Sequence, residues 1–318
     1  MSQCKKGKRI TLRYNKVIGH ALAAPLAAGG LILAQGPATV HAQTIDPYYL
    51  LPLPNGTNEL ETYGTYQHFN AFQFSNGRNV PNTSLDEYTA TIRYAHYVYI
   101  AGLPAGLQIF QSVDYATNWQ VNGVNYNNAP GARKLGASNT TLSAFFWPYA
   151  NWDNQTFVYT AAYLTPPDGS YSPNNTFNAA YGGWQGDMQF GALKGFNSNL
   201  SVEAAFDADF RGRESLDFGG QRSTDPTYRL QVWANWDWNP ALRTSLGYTG
   251  VFGGAVSDWF MGTQTSLERN AETQTIRADV SYWWTPGIMT SFELSHDIQA
   301  GGGYQLGIGA QGRIKFLF

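Results

Sequence analysis

The chain has 318 residues, with 20 Lys and Arg against 22 Asp and Glu, and a single cysteine. Its net charge of −2 excludes the basic footprint of a nucleic-acid-binding protein, and one cysteine excludes a disulfide framework. Aromatic residues make up 15% of the chain and charged residues only 13%, with 34 glycines, a composition typical of a β-barrel in an outer membrane.

The first element, residues 1–42, is predicted to be a cleaved signal peptide. Bases without acids open the chain, an apolar stretch follows, and small residues at Val40 and Ala42 suit signal peptidase. A membrane anchor is the alternative, but glycines and prolines interrupt the apolar stretch, whereas a spanning helix needs roughly 20 apolar residues. Cleavage removes Cys4 and six of the 20 bases but none of the 22 acids, so the mature chain has a net charge of −8.

The mature chain divides into a lead segment, residues 43–59, and a barrel region, residues 60–318. We expect the lead segment to lie in the periplasm. In "SVEAAFDADFR" apolar residues such as Phe206 alternate with charged residues such as Asp207, a period that fits a strand with two different faces. The alternation predicts twelve strands, at residues 60–72, 84–99, 106–117, 136–148, 154–165, 182–193, 199–211, 227–238, 241–252, 272–284, 288–298 and 304–318. The faces of the first and fifth strands are ambiguous.

The predicted fold is all-β, a transmembrane antiparallel up-and-down barrel of about 12 strands. Twelve is an even number, and each strand is long enough to cross a bilayer at a tilt, which takes roughly 9 to 11 residues. The connections alternate between short and long, so with both termini in the periplasm the short turns face the periplasm and the long loops face outside. Inward folding of the loops at 118–135 or 253–271 could plug the lumen.

A soluble β-sandwich or lipocalin-like barrel is the alternative fold, and it would hide its apolar face inside. Aromatic residues instead bunch near predicted strand ends, in "AFFWPY", "WANWDW" and "SYWWTPG". Tyr and Trp concentrate at membrane interfaces because their rings have one apolar and one polar end. This pattern favours a membrane barrel over a soluble one.

The chain ends in "GRIKFLF", in which alternate residues fall on opposite faces of a strand. Ile314, Phe316 and Phe318 fall on the lipid-facing side, and Arg313 and Lys315 on the inner side. This aromatic-ended last strand resembles the C-terminal signature of outer-membrane proteins. The resemblance implies recognition by the barrel-assembly machinery as a partner.

Two segments, residues 46–69 and 92–110, resemble a transporter-like family labelled "putative meta-pathway of phenol degradation". The matching residues are Pro54, Gly56, Thr57 and Asn58 before the first strand, and Arg93, Tyr94, His96, Gly102 and Pro104 in and after the second. The resemblance implies an outer-membrane channel or transporter for small solutes, with aromatic or hydrophobic compounds as their class. It names no substrate.

Charged residues at the inner parity of the strands are candidates for lining the lumen. They are Glu87, Arg93, Glu203, Asp207, Asp209, Arg229, Arg243, Arg277, Asp279 and Glu293. Opposite charges along a pore create a transverse field that selects solutes. The alternative is that they are salt-bridged filler, since buried charges need partners, and we expect Asp237 and Arg243 to neutralise each other across their short turn.

An enzyme is the least favoured function. "SNGR", from Ser75 to Arg78, resembles a stretch of outer-membrane phospholipase A, but that enzyme has a histidine two residues before the serine and this chain has Gln73. The stretch also suits a surface turn, and His68 is seven positions away. Scattered histidines give no metal site, and no cofactor is expected. The sequence therefore predicts a channel contacting outer-membrane lipid and small solutes, not nucleic acid, with a closed structural barrel as the alternative.

Overall fold

The computed structural model describes residues 44–128, 135–175, 178–216, 219–260, 263–267 and 271–318, and the predicted signal peptide lies outside them. Twelve long strands account for most of these residues. They are β1 (Asn58–Gln73), β2 (Ser84–Ile100), β3 (Leu103–Val121), β4 (Thr141–Asn151), β5 (Thr156–Thr165), β6 (Gln185–Gly195), β7 (Leu200–Arg211), β8 (Thr227–Asp237), β9 (Leu242–Gly253), β10 (Ala271–Thr285), β11 (Ile288–Gly301) and β12 (Gly303–Leu317).

These strands form a closed antiparallel barrel. Each pairs with the next along the chain, and β12 returns to pair with β1, with Glu59 opposite Leu317. The predicted fold class is confirmed. The largest difference in bounds is at β4, predicted at 136–148, because residues 135–137 form a separate short strand against β3. Within the described residues, no helix is long and apolar enough to cross a membrane.

The barrel wall has an apolar outer face and a polar inner face, as β8 shows. Tyr228, Leu230 and Trp236 point outward and are 37%, 40% and 41% exposed, whereas Arg229 and Gln231 between them are buried inside. Successive side chains of a strand point to opposite faces, so a period of two sends one set to lipid and the other to the lumen. The exposed apolar belt forms the surface that contacts membrane lipid.

The two ends of the barrel differ in their connections. At one end, here called the turn end, each connection has two to four residues; at the other, the loop end, four connections exceed ten. The β2–β3 turn contains Ala101 and Gly102, at φ values of 52° and 84°, the positive values that two-residue hairpins favour. At the loop end, four short strands (Glu214–Ser215, Gln221–Thr224, Val256–Phe260 and Thr263–Leu267) form a second sheet.

The predicted facing of β12 is wrong at its start. Tyr304 and Leu306 share the sequence parity of the outward residue Ile308, yet both are buried inside the barrel. The register between β1 and β12 shifts around Phe69. Such an irregularity moves the following side chains to the other face of a strand. Tyr304 and Leu306 thereby join an apolar cluster inside the loop end.

The lead segment differs most from its predicted position. We expected residues 43–59 in the periplasm, but from Thr44 to Leu53 the described part of this segment lies inside the barrel. Ile45 and Leu50 are completely buried and pack against aromatic residues of the inner wall. Burial of apolar surface stabilises by about 25 cal/mol per Å², which gives this apolar segment a physical reason to leave water. The lead segment reaches β1 through a turn in which the N–H of Gly56 donates to the carbonyl of Tyr97.

Candidate functional site

Among the described residues, two cavities of the lumen lie on either side of the lead segment. The outer cavity, of about 420 Å³, lies toward the loop end and is lined by residues such as Asp46, Thr249 and Tyr304. The inner cavity, of about 100 Å³, lies toward the turn end. Tyr49 and Arg93 line both cavities. These two side chains therefore form the partition between them.

The partition is held by hydrogen bonds and stacking. The guanidinium of Arg93 lies 4.6 Å from the ring centroid of Tyr49. Its Nη1 donates to Glu61 at 2.6 Å and its Nε donates to Gln108 at 3.0 Å. The hydroxyl of Tyr49 lies 3.1 Å from that of Tyr163 on the opposite side. A cation on an aromatic face is stabilising when both are shielded from water, and the partners of this pair come from three strands, β1, β3 and β5.

The main chain of the lead segment is bound by one carboxylate. Glu203 on β7 is completely buried, and its two oxygens accept the backbone N–H groups of Tyr48 and Leu50. Asn235 on β8 donates to the same carboxylate at 3.1 Å. Backbone donors buried without a partner are costly. A buried acid that satisfies two of them is therefore a docking point for the lead segment.

Two tryptophans bind the carbonyl groups of the lead segment. Trp147 Nε1 donates to the Leu50 carbonyl at 2.8 Å, and Trp233 Nε1 donates to the Ile45 carbonyl at 3.0 Å. The N–H of Ile45 in turn donates to Gln231 Oε1 at 3.0 Å. Buried indole groups need an acceptor. Here the acceptors come from the lead segment, whose residues 44–53 make no strand pairing with the wall.

The side chain of Asp46 enters a cationic site at the floor of the outer cavity. Its Oδ2 lies 2.8 Å from Arg313 Nη1 and 2.9 Å from the hydroxyl of Tyr63. Arg277 donates from Nη1 to the Ile45 carbonyl at 3.1 Å. Charge-assisted hydrogen bonds of this kind are stronger than neutral ones. The lead segment is thus bound through both its backbone and a carboxylate.

Most residues predicted to line the lumen lie inside the barrel in ion pairs. The closest N–O distances are 2.6 Å for Arg93–Glu61, 2.7 Å for Arg211–Asp209, 3.1 Å for Arg229–Asp207, 2.6 Å for Arg243–Asp237 and 2.8 Å for Arg277–Glu293. Four of the ten predicted residues line the outer cavity, namely Arg93, Arg229, Arg277 and Glu293. The expected Asp237–Arg243 pair is confirmed.

The other predicted lumen residues have different surroundings. Asp279 accepts a hydrogen bond from Ser281, and Glu203 binds the lead segment. Glu87 is buried near Asp114, and one of its oxygens has no hydrogen-bond partner. No single line of charge therefore runs along the inner wall.

The alternative sites have simple structural explanations. The Ser75 stretch forms an exposed turn in which Phe74 and Arg78 share a backbone hydrogen bond, as the turn alternative predicts. His68 Nδ1 lies 2.6 Å from Asp86 on the neighbouring strand. Among the residues that the structure describes, no group of three or more His, Cys, Asp and Glu could hold a metal ion.

The sequence prediction included Glu203 and Arg277 but missed the aromatic residues that bind the lead segment. Phe145 and Trp147 belong to "AFFWPY", which we assigned to an interface girdle, yet both are buried inside the barrel. Trp233 occupies the inner parity of β8 between the outward residues Val232 and Ala234. This inward position of Trp233 was the signal in the sequence that could have predicted a buried partner inside the barrel. A large indole on an otherwise polar inner face needs something apolar to pack against.

A family model described as "Putative MetA-pathway of phenol degradation" matches residues 69–314. The match covers nearly the whole barrel, from the end of β1 into β12. The chain belongs to this family. Of the two segments that carried the resemblance, residues 92–110 lie inside the matched region, and residues 46–68 precede it. The search of curated protein sequences found no significant match.

The chain is similar to several solved structures, of which one supports the same fold. An outer-membrane channel from Pseudomonas putida F1 is 19% identical to this chain, with a TM-score of 0.77 over 86% of this chain and 100% of that one. The transport unit of the autotransporter AIDA-I from Escherichia coli is 9% identical, with a TM-score of 0.49 over 92% of this chain and 97% of its own. A toluene transporter, TodX of Pseudomonas putida, is 9% identical with a TM-score of 0.42, covering 83% and 90%. Only the first score bears on the fold, which is that of an outer-membrane barrel.

Proposed function

We propose that this protein is an outer-membrane channel for small solutes, with aromatic or hydrophobic compounds as their class. The observation that carries the proposal is that two cavities lie in one lumen with the lead segment and its partition between them. Residues 44–53 are joined to the barrel at their C-terminal end and make no strand pairing with the wall. Its displacement would join the cavities without breaking the barrel. The family description supports aromatic compounds as the solute class.

The direction of the barrel is part of the proposal. Short turns of outer-membrane barrels face the periplasm, so the outer cavity opens outward and the lead segment is attached on the periplasmic side. The leader at residues 1–42 supplies export, and the last strand supplies the contact with the barrel-assembly machinery. Mass spectrometry of the purified protein should place the mature N-terminus within a few residues of Gln43. An intact leader in outer membranes would contradict this step.

Planar-bilayer recordings test the channel directly. We expect small or brief openings from the wild type and a larger, steady conductance after deletion of residues 44–51, which removes most of the lead segment inside the barrel and keeps the turn into β1. Glu87→Gln is a matched control, since no hydrogen bond joins this buried residue to the lead segment. Liposomes containing the deletion variant should admit a small aromatic solute faster than a disaccharide. Silence from both the wild type and the deletion variant would favour a closed structural barrel.

The enzyme alternative has its own measurement. A lipase in this barrel should release fatty acid from phospholipid vesicles, and Ser75→Ala should abolish that release. We expect no release from the wild type above that from Ser75→Ala, because Ser75 lies in an exposed turn and His68 is held by Asp86.

A further inference from the structure

We infer that the floor of the outer cavity is a binding site for a small carboxylate, which Asp46 of the lead segment occupies in the closed state. The inference rests on the proposed function, because it names a class of solute that would open the same lumen. Asp46 is the only carboxylate that the described lead segment, Thr44 to Thr57, brings into the barrel. Its position shows what the inner wall can bind there.

The site is a set of donors arranged around one carboxylate. Arg313 and Tyr63 meet the same Asp46 oxygen at 2.8 and 2.9 Å. Arg277 approaches from β10 and contacts the adjoining Ile45 carbonyl. Arginine is well suited to carboxylates because its planar N–H groups match their geometry. A solute carboxylate in the place of Asp46 would find the same donors.

The site is reached from the outer cavity. Asp46, Tyr63 and Arg277 all line that cavity, whose volume of about 420 Å³ gives room for a ring attached to the carboxylate. Phe69 and Phe110 line it as well. A solute that enters from the loop end therefore reaches the lead segment at Asp46, the residue that it would displace.

The charge balance of the surrounding cluster permits this exchange. Around Asp46 lie four bases and four acids, namely Arg93, Arg277, Arg313 and Lys315 with Glu59, Glu61, Asp279 and Glu293. The cluster is neutral without Asp46, so Asp46, or a solute carboxylate in its place, adds one negative charge that Arg313 contacts directly. A solute carboxylate would replace Asp46 like for like, whereas a neutral solute would leave Arg313 without its closest partner.

A ligand that binds one state better than another shifts the equilibrium toward that state. Benzoate should therefore favour the displaced lead segment, and benzamide, its neutral analogue of similar shape, should not. Asp46→Asn removes the competing charge with little change of shape. We expect this variant to bind benzoate at least tenfold more tightly than the wild type, with benzamide binding unchanged.

Isothermal titration calorimetry of the full protein in detergent, with benzoate and benzamide as probes, tests the site. Glu87→Gln is the control: among the described residues this buried acid of the inner wall has no hydrogen bond to the lead segment, so it should change benzoate affinity less than threefold. Adding Tyr63→Phe to Asp46→Asn should lower benzoate affinity several-fold. Equal benzoate affinity in the wild type and Asp46→Asn, or equal binding of benzoate and benzamide by Asp46→Asn, would overturn the inference. If the deletion variant conducts but benzoate and benzamide bind equally, the proposed channel stands and the carboxylate site is wrong. If benzoate binds as expected but neither the wild type nor the deletion variant conducts, the site stands and the channel is wrong.

Discussion

Replacing Glu203 by glutamine should release the lead segment from the lumen. The substitution keeps the size and shape of the side chain but turns one acceptor oxygen into an amino group. That group would then face a backbone N–H of Tyr48 or Leu50, donor against donor. Hydrogen bonds to a charged group contribute about 1.5 to 3 kcal/mol, and a buried donor without an acceptor costs about as much.

We therefore expect the free energy that favours the bound over the displaced lead segment to fall by about 2 to 3 kcal/mol. Because 1.4 kcal/mol corresponds to a factor of ten, the displaced fraction should rise roughly 30- to 140-fold. The barrel itself should keep its stability in this variant, because Glu203 has no ion pair among the described residues and Asn235 can still donate to the remaining amide oxygen.

A cysteine at position 45 can report the displacement. Cys4 is the only natural cysteine, so Ile45→Cys in a Cys4→Ser background gives one thiol, buried while the lead segment is bound. A maleimide should label it 30- to 140-fold faster when Glu203→Gln is added. Glu87→Gln, another buried glutamate of the inner wall, should leave the rate unchanged. Labelling rates that agree within twofold for Glu203→Gln and the reporter alone would refute the docking role of Glu203.

Two further predictions concern the barrel wall. Phe318→Lys should lower the folded yield in outer membranes far more than Leu317→Ser, because Phe318 is 68% exposed on the lipid-facing side while Leu317 points inward. The folded yield is measured by heat-modifiable gel mobility, and equal yields of the two variants would contradict this role for the last residue. Arg277→Ala should destabilise the barrel by about 3 to 5 kcal/mol, because Glu293 would remain buried without its two hydrogen bonds at 2.8 Å. Adding Glu293→Ala should restore much of that stability, measured by urea unfolding of the protein in micelles, and no restoration would count against a simple buried pair.

The alternation of apolar and polar residues predicted the barrel because, in the barrel wall, a residue's position along its own strand decides whether it faces lipid or lumen. Each residue of β8 faces lipid or lumen according to its parity, so composition along the strand reveals both faces. The rule fails where pairing is irregular. Tyr304 and Leu306 lie beyond a register shift opposite Phe69, and no local signal in β12 marks that shift.

The lead segment could not be placed from sequence for a different reason. Its contacts are tertiary, and the residues that bind it are single positions on several strands, such as Trp147, Glu203 and Arg313. The sequence indicates instead the long loops at 118–135 and 253–271 as segments that could plug the lumen, since inward-folded long loops narrow many barrels. Nothing in "TIDPYYLLPL" repeats with a period that indicates a partner.

The separation in sequence between the lead segment and its binding residues sets an order for folding. Tyr48 and Glu203 are 155 positions apart, Ile45 and Gln231 are 186 apart, and Ile45 and Arg277 are 232 apart. Contacts between such distant positions form late, because the chain between them must first be ordered. The lead segment is synthesised before every strand of the barrel, yet its full set of contacts requires β4, β7, β8, β10 and β12. Docking of the lead segment is therefore complete only when the last strand is in place, and the bound lead segment marks the completion of the fold.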